Sequence, residues 1–168
     1  EPNIFSEKGA VAYCCLKQSD IPYHPLKIYK DLPTDPLSAL TSALSKMEDL
    51  EGAMIQILIR KSRDNWKKAG KSYISSTKKT EASPEKASFN VDAKVLERID
   101  EKVSKPGFET AIRIAVSSTN IDSAEAHLRN IKSSFSQFSS DLNSFDTTRI
   151  LFKGGFMTNF IYKFFVFF

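Results

Sequence analysis

The sequence predicts an α+β domain: a mixed sheet of about four strands with about four to five packed helices, ferredoxin-like in style. Three observations carry this. The run Asp35–Arg60, DPLSALTSALSKMEDLEGAMIQILIR, reads as a capped amphipathic helix, a Gly turn and a strand apolar enough for the centre of a sheet. A similar order recurs in KPGFETAIRIAVSS followed by the helix AEAHLRNIKSSFSQFSS, which makes a weak internal repeat. The 168 residues are 41% hydrophobic and 26% charged, enough for one domain, spanning residues 1–168, with a real core.

The elements follow in order. Gly9–Lys17 (GAVAYCCLK) is a short strand rich in β-formers. Pro22, Pro25 and Pro33 exclude a regular helix from the next stretch. Thr34 or Asp35 caps a helix with Pro36 in its first turn, and Leu37, Leu40, Leu44 and Met47 form its apolar stripe. Gly52 ends the connection to a strand over Ala53–Ile59. Asp64 caps a second helix to about Lys79, with Trp66, Ala69, Tyr73, Ile74 and Thr77 inward. Thr80–Ser88 is a polar loop containing Pro84. Asn90 or Asp92 starts a third helix carrying Val95, Leu96, Ile99 and Val103, which Pro106-Gly107 breaks. Phe108–Ser117 is the third strand. Asp122 caps a fourth helix to about Ser139, Thr147–Lys153 is a fourth strand, and Gly154-Gly155 punctuates before an aromatic tail. Ile55, Ile57, Ile112 and Ile114 are expected on adjacent central strands, under Leu40, Leu44, Leu128 and Ile131.

The adjacent Cys14 and Cys15 point to opposite faces of a strand and read as two reduced thiols rather than a disulfide or a zinc site. No phosphate-binding G-x-x-x-x-G-K-[ST] loop and no nucleophile turn occur in the sequence. His24 and His127 stand apart from any ligand cluster, and His127 reads as a helix-surface residue. The carboxylates sit mostly at helix starts, where capping accounts for them. The expectation is a non-enzyme with no cofactor and no metal. The chain opens at Glu1-Pro2-Asn3 without an initiator Met and closes on an aromatic run, so it reads as a piece of a longer protein.

Two surfaces stand out. Arg60, Arg63, Lys67, Lys68, Lys71, Lys78 and Lys79 lie on or beside the Trp66 helix, in a chain with a net charge of +4. They would contact phosphates of nucleic acid or another anionic surface; the plainer alternative is a solvated helix face. The tail FMTNFIYKFFVFF is too short for a membrane span, which needs about 20 residues, and reads as a core or interdomain segment.

The blocks DPLSALTSALSKMEDLEGAMIQILIRKSRDNWKKAGKSYI and KPGFETAIRIAVSSTNIDSAEAHLRNIKSSFSQFSSDLNSF resemble an accessory domain of type IV secretion (conjugation) coupling-protein-like ATPases of Patescibacteria-type bacteria. DPLSALTSALSKM, EGAMIQILIR and FSQFSS are the most specific strings. In that family the domain lies between an amino-terminal membrane segment and a RecA-like motor. The resemblance implies a non-catalytic assembly role at the cytoplasmic face of the inner membrane. The parent would be a membrane-tethered ATPase for conjugative DNA transfer. The partners implied are other secretion-system subunits or further copies in a ring, with DNA held by the Trp66 helix as the alternative. It carries over a setting and no catalytic residues.

Overall fold

The computed structural model describes residues 9–81, 91–148, 150 and 152–164. Strands β1 (Ala10–Gln18), β2 (Gly52–Lys61), β3 (Phe108–Ser118) and β4 (Phe145–Thr148) form one four-stranded sheet in the order β2-β3-β1-β4. Helix α1 (Pro36–Leu44) joins β1 to β2, and α4 (Ile121–Ser134) follows β3. This is the split βαβ arrangement of a ferredoxin-like fold, with α2 (Asn65–Glu81) and α3 (Ala93–Ser104) inserted between β2 and β3. The α+β class stands, but the sheet is not mixed. All three pairings are antiparallel, because the α1 and α4 crossovers each skip a position, with β3 lying between β1 and β2.

The strands alternate faces, and each face finds its own cover. Cys14, Leu16, Ile114 and Val116 point to the face covered by α1 and α4, where they pack with Ala43 and Ile131. Leu40, Leu44, Ile55, Ile112 and Leu128 join this cluster as expected. On the opposite face, Cys15 and Ala115 pack under Phe156 and Phe160 of helix α5 (Lys153–Ile161). Phe156 and Phe160 of the apolar tail segment are therefore core, whereas Ile161, Tyr162 and Phe164 beyond them are exposed. Gly154-Gly155 lies within the first turn of α5 instead of breaking the chain before it. Docking of the two phenylalanines on the sheet outweighs the poor helix propensity of the glycines. The expected strand to Lys153 stops at Thr148, and residues 149 and 151 lie outside the described set.

Capping sets most helix starts. Asp35 accepts from the Leu37 amide at 3.0 Å, and Asp92 accepts from that of Lys94 at 2.9 Å. At α4 the cap is Asn120, which accepts from the Ser123 amide at 2.9 Å, rather than Asp122. Asp122 falls inside the first turn, where its charge favours the helix amino end. The last expected turn of α4, Phe135–Phe138, is a tight 3-10 helix. No glycine makes the α1–β2 turn by a left-handed backbone; Leu50 does so, at φ 72, with its side chain 85% exposed. Gly52 is the first residue of β2.

Helices α2 and α3 pair over a third core of Tyr23, Ile74, Leu96, Ile99 and Val103. Gly70, not Ala69, is the contact position: a Cβ there would meet Val103 Cγ1 at 2.6 Å, while Ala69 is exposed. Gly107 passes so close to Trp66 that a Cβ would stand 2.3 Å from the indole. The expected polar loop over Thr80–Ser88 begins as the end of α2, and residues 82–90 lie outside the described set.

Candidate functional site

The expectation most changed by the structure concerns β2. Among the described residues it is an edge strand, paired only to β3, through an unbroken register from Gly52↔Ser117 to Lys61↔Phe108. Among the described elements, β3 is the only one against which β2 packs extensively. Ile55 reaches the core cluster, whereas Ile57 is 53% and Ile59 63% exposed. The two isoleucines share their face with Phe108, which is 64% exposed, beyond the reach of α1 and α4. Met54, on the other face, is 45% exposed. The result is an apolar strand whose outer backbone groups face outward with no Pro or bulge between Ala53 and Ile59. Natural edges are ordinarily blunted by such devices or by central charges.

Behind this edge stand two buried polar centres. Arg113 on β3 is fully buried and donates to Gln56 Oε1 at 3.0 Å and to the carbonyls of Asn159 and Phe164. Gln56 of β2 donates to the Phe160 carbonyl at 2.9 Å. A cation at the carboxyl end of α5 meets carbonyls that the helix itself leaves free, so the guanidinium fixes α5 to the sheet. In the second centre, Glu51 accepts from the Ser118 hydroxyl, and its other oxygen lies 2.8 Å from His127 Nε2. The Ser118 hydrogen bond, helped by the Glu48 amide, holds the Glu51 carboxyl below the usual range. His127, 14% exposed, is thus a largely buried hydrogen-bond partner of Glu51 and not the expected surface residue. Glu51 stands between the hydroxyl and the imidazole, an order in which His127 does not take a proton from Ser118 as a catalytic triad requires.

A further buried polar residue escaped the sequence reading. Asn143, 3% exposed, accepts from the Asp20 amide at 3.1 Å and donates to the His24 carbonyl at 3.0 Å. With Arg98–Asp141 at 2.6 Å and Lys102 donating to the His24 carbonyl at 2.8 Å, it ties the α2–α3 pair to the sheet end. Burial lowers the Lys102 ammonium to about 8. A cleft of about 1410 Å³ separates these helices from the strands, lined among others by Trp66, Lys102, Phe108, Arg113 and Phe145. Its charges are of both signs, Arg98 and Lys102 beside Glu101, Glu109 and Asp141, and select no ligand class.

The basic set divides. Arg60 lies on β2, 2.6 Å from Glu109 across the ladder, and exposed Arg63 lies in the turn after it. Lys67 turns inward, 3.7 Å from Asp64 and 5.8 Å from the Trp66 ring centre. Lys68, Lys71, Lys78 and Lys79 remain exposed along α2. Among the described residues, no group of three or more His, Cys, Asp or Glu is placed to hold a metal ion. No helix among them is long and apolar enough to cross a membrane.

Cys14 and Cys15 are both buried and unpaired, on opposite faces as expected. Burial pushes the Cys14 thiol up to about 12 and the Cys15 thiol up to about 11, Arg113 partly offsetting the latter. Both should therefore resist iodoacetamide at neutral pH in the native protein and react at once in denaturant, as mass spectrometry reads directly. The folded thiols hold their protons longer than unfolded ones. Their contribution to stability is thus complete below about pH 9 and lost as pH rises through the native values.

A family described as a domain of unknown function (DUF8128) matches residues 2–144 of the chain. No curated protein matches it, and no solved structure does.

Proposed function

Since the chain belongs to the family described as a domain of unknown function (DUF8128), we propose its role from its own surface: a non-catalytic assembly module that holds protein partners along β2. The observation that carries this is the apolar edge, unpaired among the described residues, with Met54, Ile57 and Ile59 exposed on an unblunted strand. Such an edge binds an extended segment through its free backbone groups, and alternate side chains select the occupant. The setting is the one implied by the sequence resemblance, an accessory domain of a type IV secretion ATPase at the cytoplasmic face of the inner membrane. In that setting hydrolysis belongs to the motor, and this domain adds contacts between subunits. The exposed Lys68, Lys71, Lys78 and Lys79 favour a second reading, DNA tracking by α2.

A photoreactive residue placed at Ile59 or at Lys71 of the protein in the cells that make it separates the two. Discrete protein adducts at Ile59, lost when Ile57→Lys is added, are expected. Adducts with DNA at Lys71 and none at Ile59 would overturn the docking reading. So would DNA binding that falls with salt by a log–log slope of about −0.9 per phosphate and is abolished by K68E/K71E/K78E/K79E.

A further inference from the structure

Building on the docking reading, we infer that the occupant of the edge is a second copy of this chain, paired β2 to β2 in antiparallel sense. The charge along the strand is the ground for choosing it. The turn leading into β2 carries Glu48, Asp49 and Glu51, with Lys46 before it; the far end carries Arg60, Lys61 and Arg63, with Asp64 after it. Glu48, Asp49, Lys61 and Arg63 are exposed, while Glu51 already holds Ser118 and His127, and Arg60 holds Glu109. An antiparallel pair sets the acidic end of one copy against the basic end of the other. A parallel pair would lay Arg60, Lys61 and Arg63 beside their own equivalents, and like charges directly opposite destabilise a ladder.

The side chains set the register. With the two-fold axis at Ile57, this residue faces its own copy, Ile55 faces Ile59, Met54 faces Arg60 and Ala53 faces Lys61. Every exposed isoleucine then meets an isoleucine, and Glu51 stands opposite Arg63. The contact is isologous and closes at two copies, so it forms a finite dimer rather than a fibre. Both sheets join into one continuous sheet, and neither β2 remains an edge. The ferredoxin-like strand order makes this possible, since β2 lies at one margin and β4, with its shorter span, at the other.

Sedimentation velocity on the whole chain over rising concentration, combined with cysteine trapping, tests it. Ile57→Cys should give a disulfide-linked dimer under mild oxidant when free thiols are blocked before denaturation, because directly opposed Cβ atoms lie about 4.5–5.5 Å apart. Arg60→Cys, opposite Met54, should give little. Wild type should sediment as a dimer, and I57K/I59K as a monomer with an unchanged circular dichroism spectrum. If that double variant loses its native spectrum, the Ile57→Cys to Arg60→Cys ratio decides alone. A dimer surviving I57K/I59K with native spectrum, or trapping at Arg60→Cys in preference to Ile57→Cys, would overturn the inference. A monomeric wild type whose Ile59 photoprobe still captures another protein would remove the second copy and leave the docking reading standing; a monomer with no capture would remove both.

Discussion

Phe156→Ala should be the most damaging single truncation in the chain, costing about 3–5 kcal/mol, as removal of a fully buried phenylalanine does. The ring is fully buried, stacks on Tyr13 with centroids 4.5 Å apart, and joins Cys15, Ala115 and Phe160 in the core between α5 and the sheet. Urea denaturation followed by far-ultraviolet dichroism gives the value directly. A loss below about 1 kcal/mol, typical of a surface position, would mean that α5 does not rest on the sheet.

Arg113→Ala should cost nearly as much, about 3–5 kcal/mol, because it strips a fully buried charged donor from several part-buried acceptors. The Asn159 and Phe164 carbonyls and the Gln56 amide oxygen would all lose their bond to the guanidinium. Arg113→Met refills most of the volume without restoring the donors, so it should recover only part of the loss. If Met matched wild type, packing alone would explain the residue. If both variants were neutral, the carbonyls at the end of α5 would have to be satisfied elsewhere. The pair of measurements therefore separates volume from hydrogen bonding.

Much of the fold was legible in the sequence where local chemistry is decisive. The caps Asp35 and Asp92, the Pro36 first turn and the Ile112–Ile114 strand core all act within a few residues of themselves. What the sequence hid depends on contacts between distant positions. Arg113 is a charged letter in the apolar middle of β3, and only the arrival of α5, 46 residues later at Asn159, shows why it is tolerated. Asn143 resembles any loop asparagine until Ser19, Asp20 and His24 meet it. His127 reads as surface because Glu51 is far away in sequence.

The error over β2 is the instructive one. A strand apolar on both faces normally argues for the sheet interior. Here the topology places it at the margin, and the same apolar residues are left facing outward. Burial by a partner explains the composition as well as burial by the chain itself. The basic residues show the converse. Arg60, Arg63 and Lys67 belong to a strand, a turn and an indole contact, so the seven-residue set dissolves into local roles apart from the four exposed lysines of α2.

The most direct measurement is backbone amide exchange across about a hundredfold dilution, over which a self-associated surface opens by mass action. The β3 amides from Ile112 to Val116 should stay slow throughout. Every second amide of β2 between Ala53 and Arg60, those directed away from β3, should be protected in concentrated solution and exchange rapidly when dilute. Uniform protection of β2 at both concentrations would show an edge already covered within one chain. Rapid exchange of the outward amides at both would show that a second copy never pairs with it.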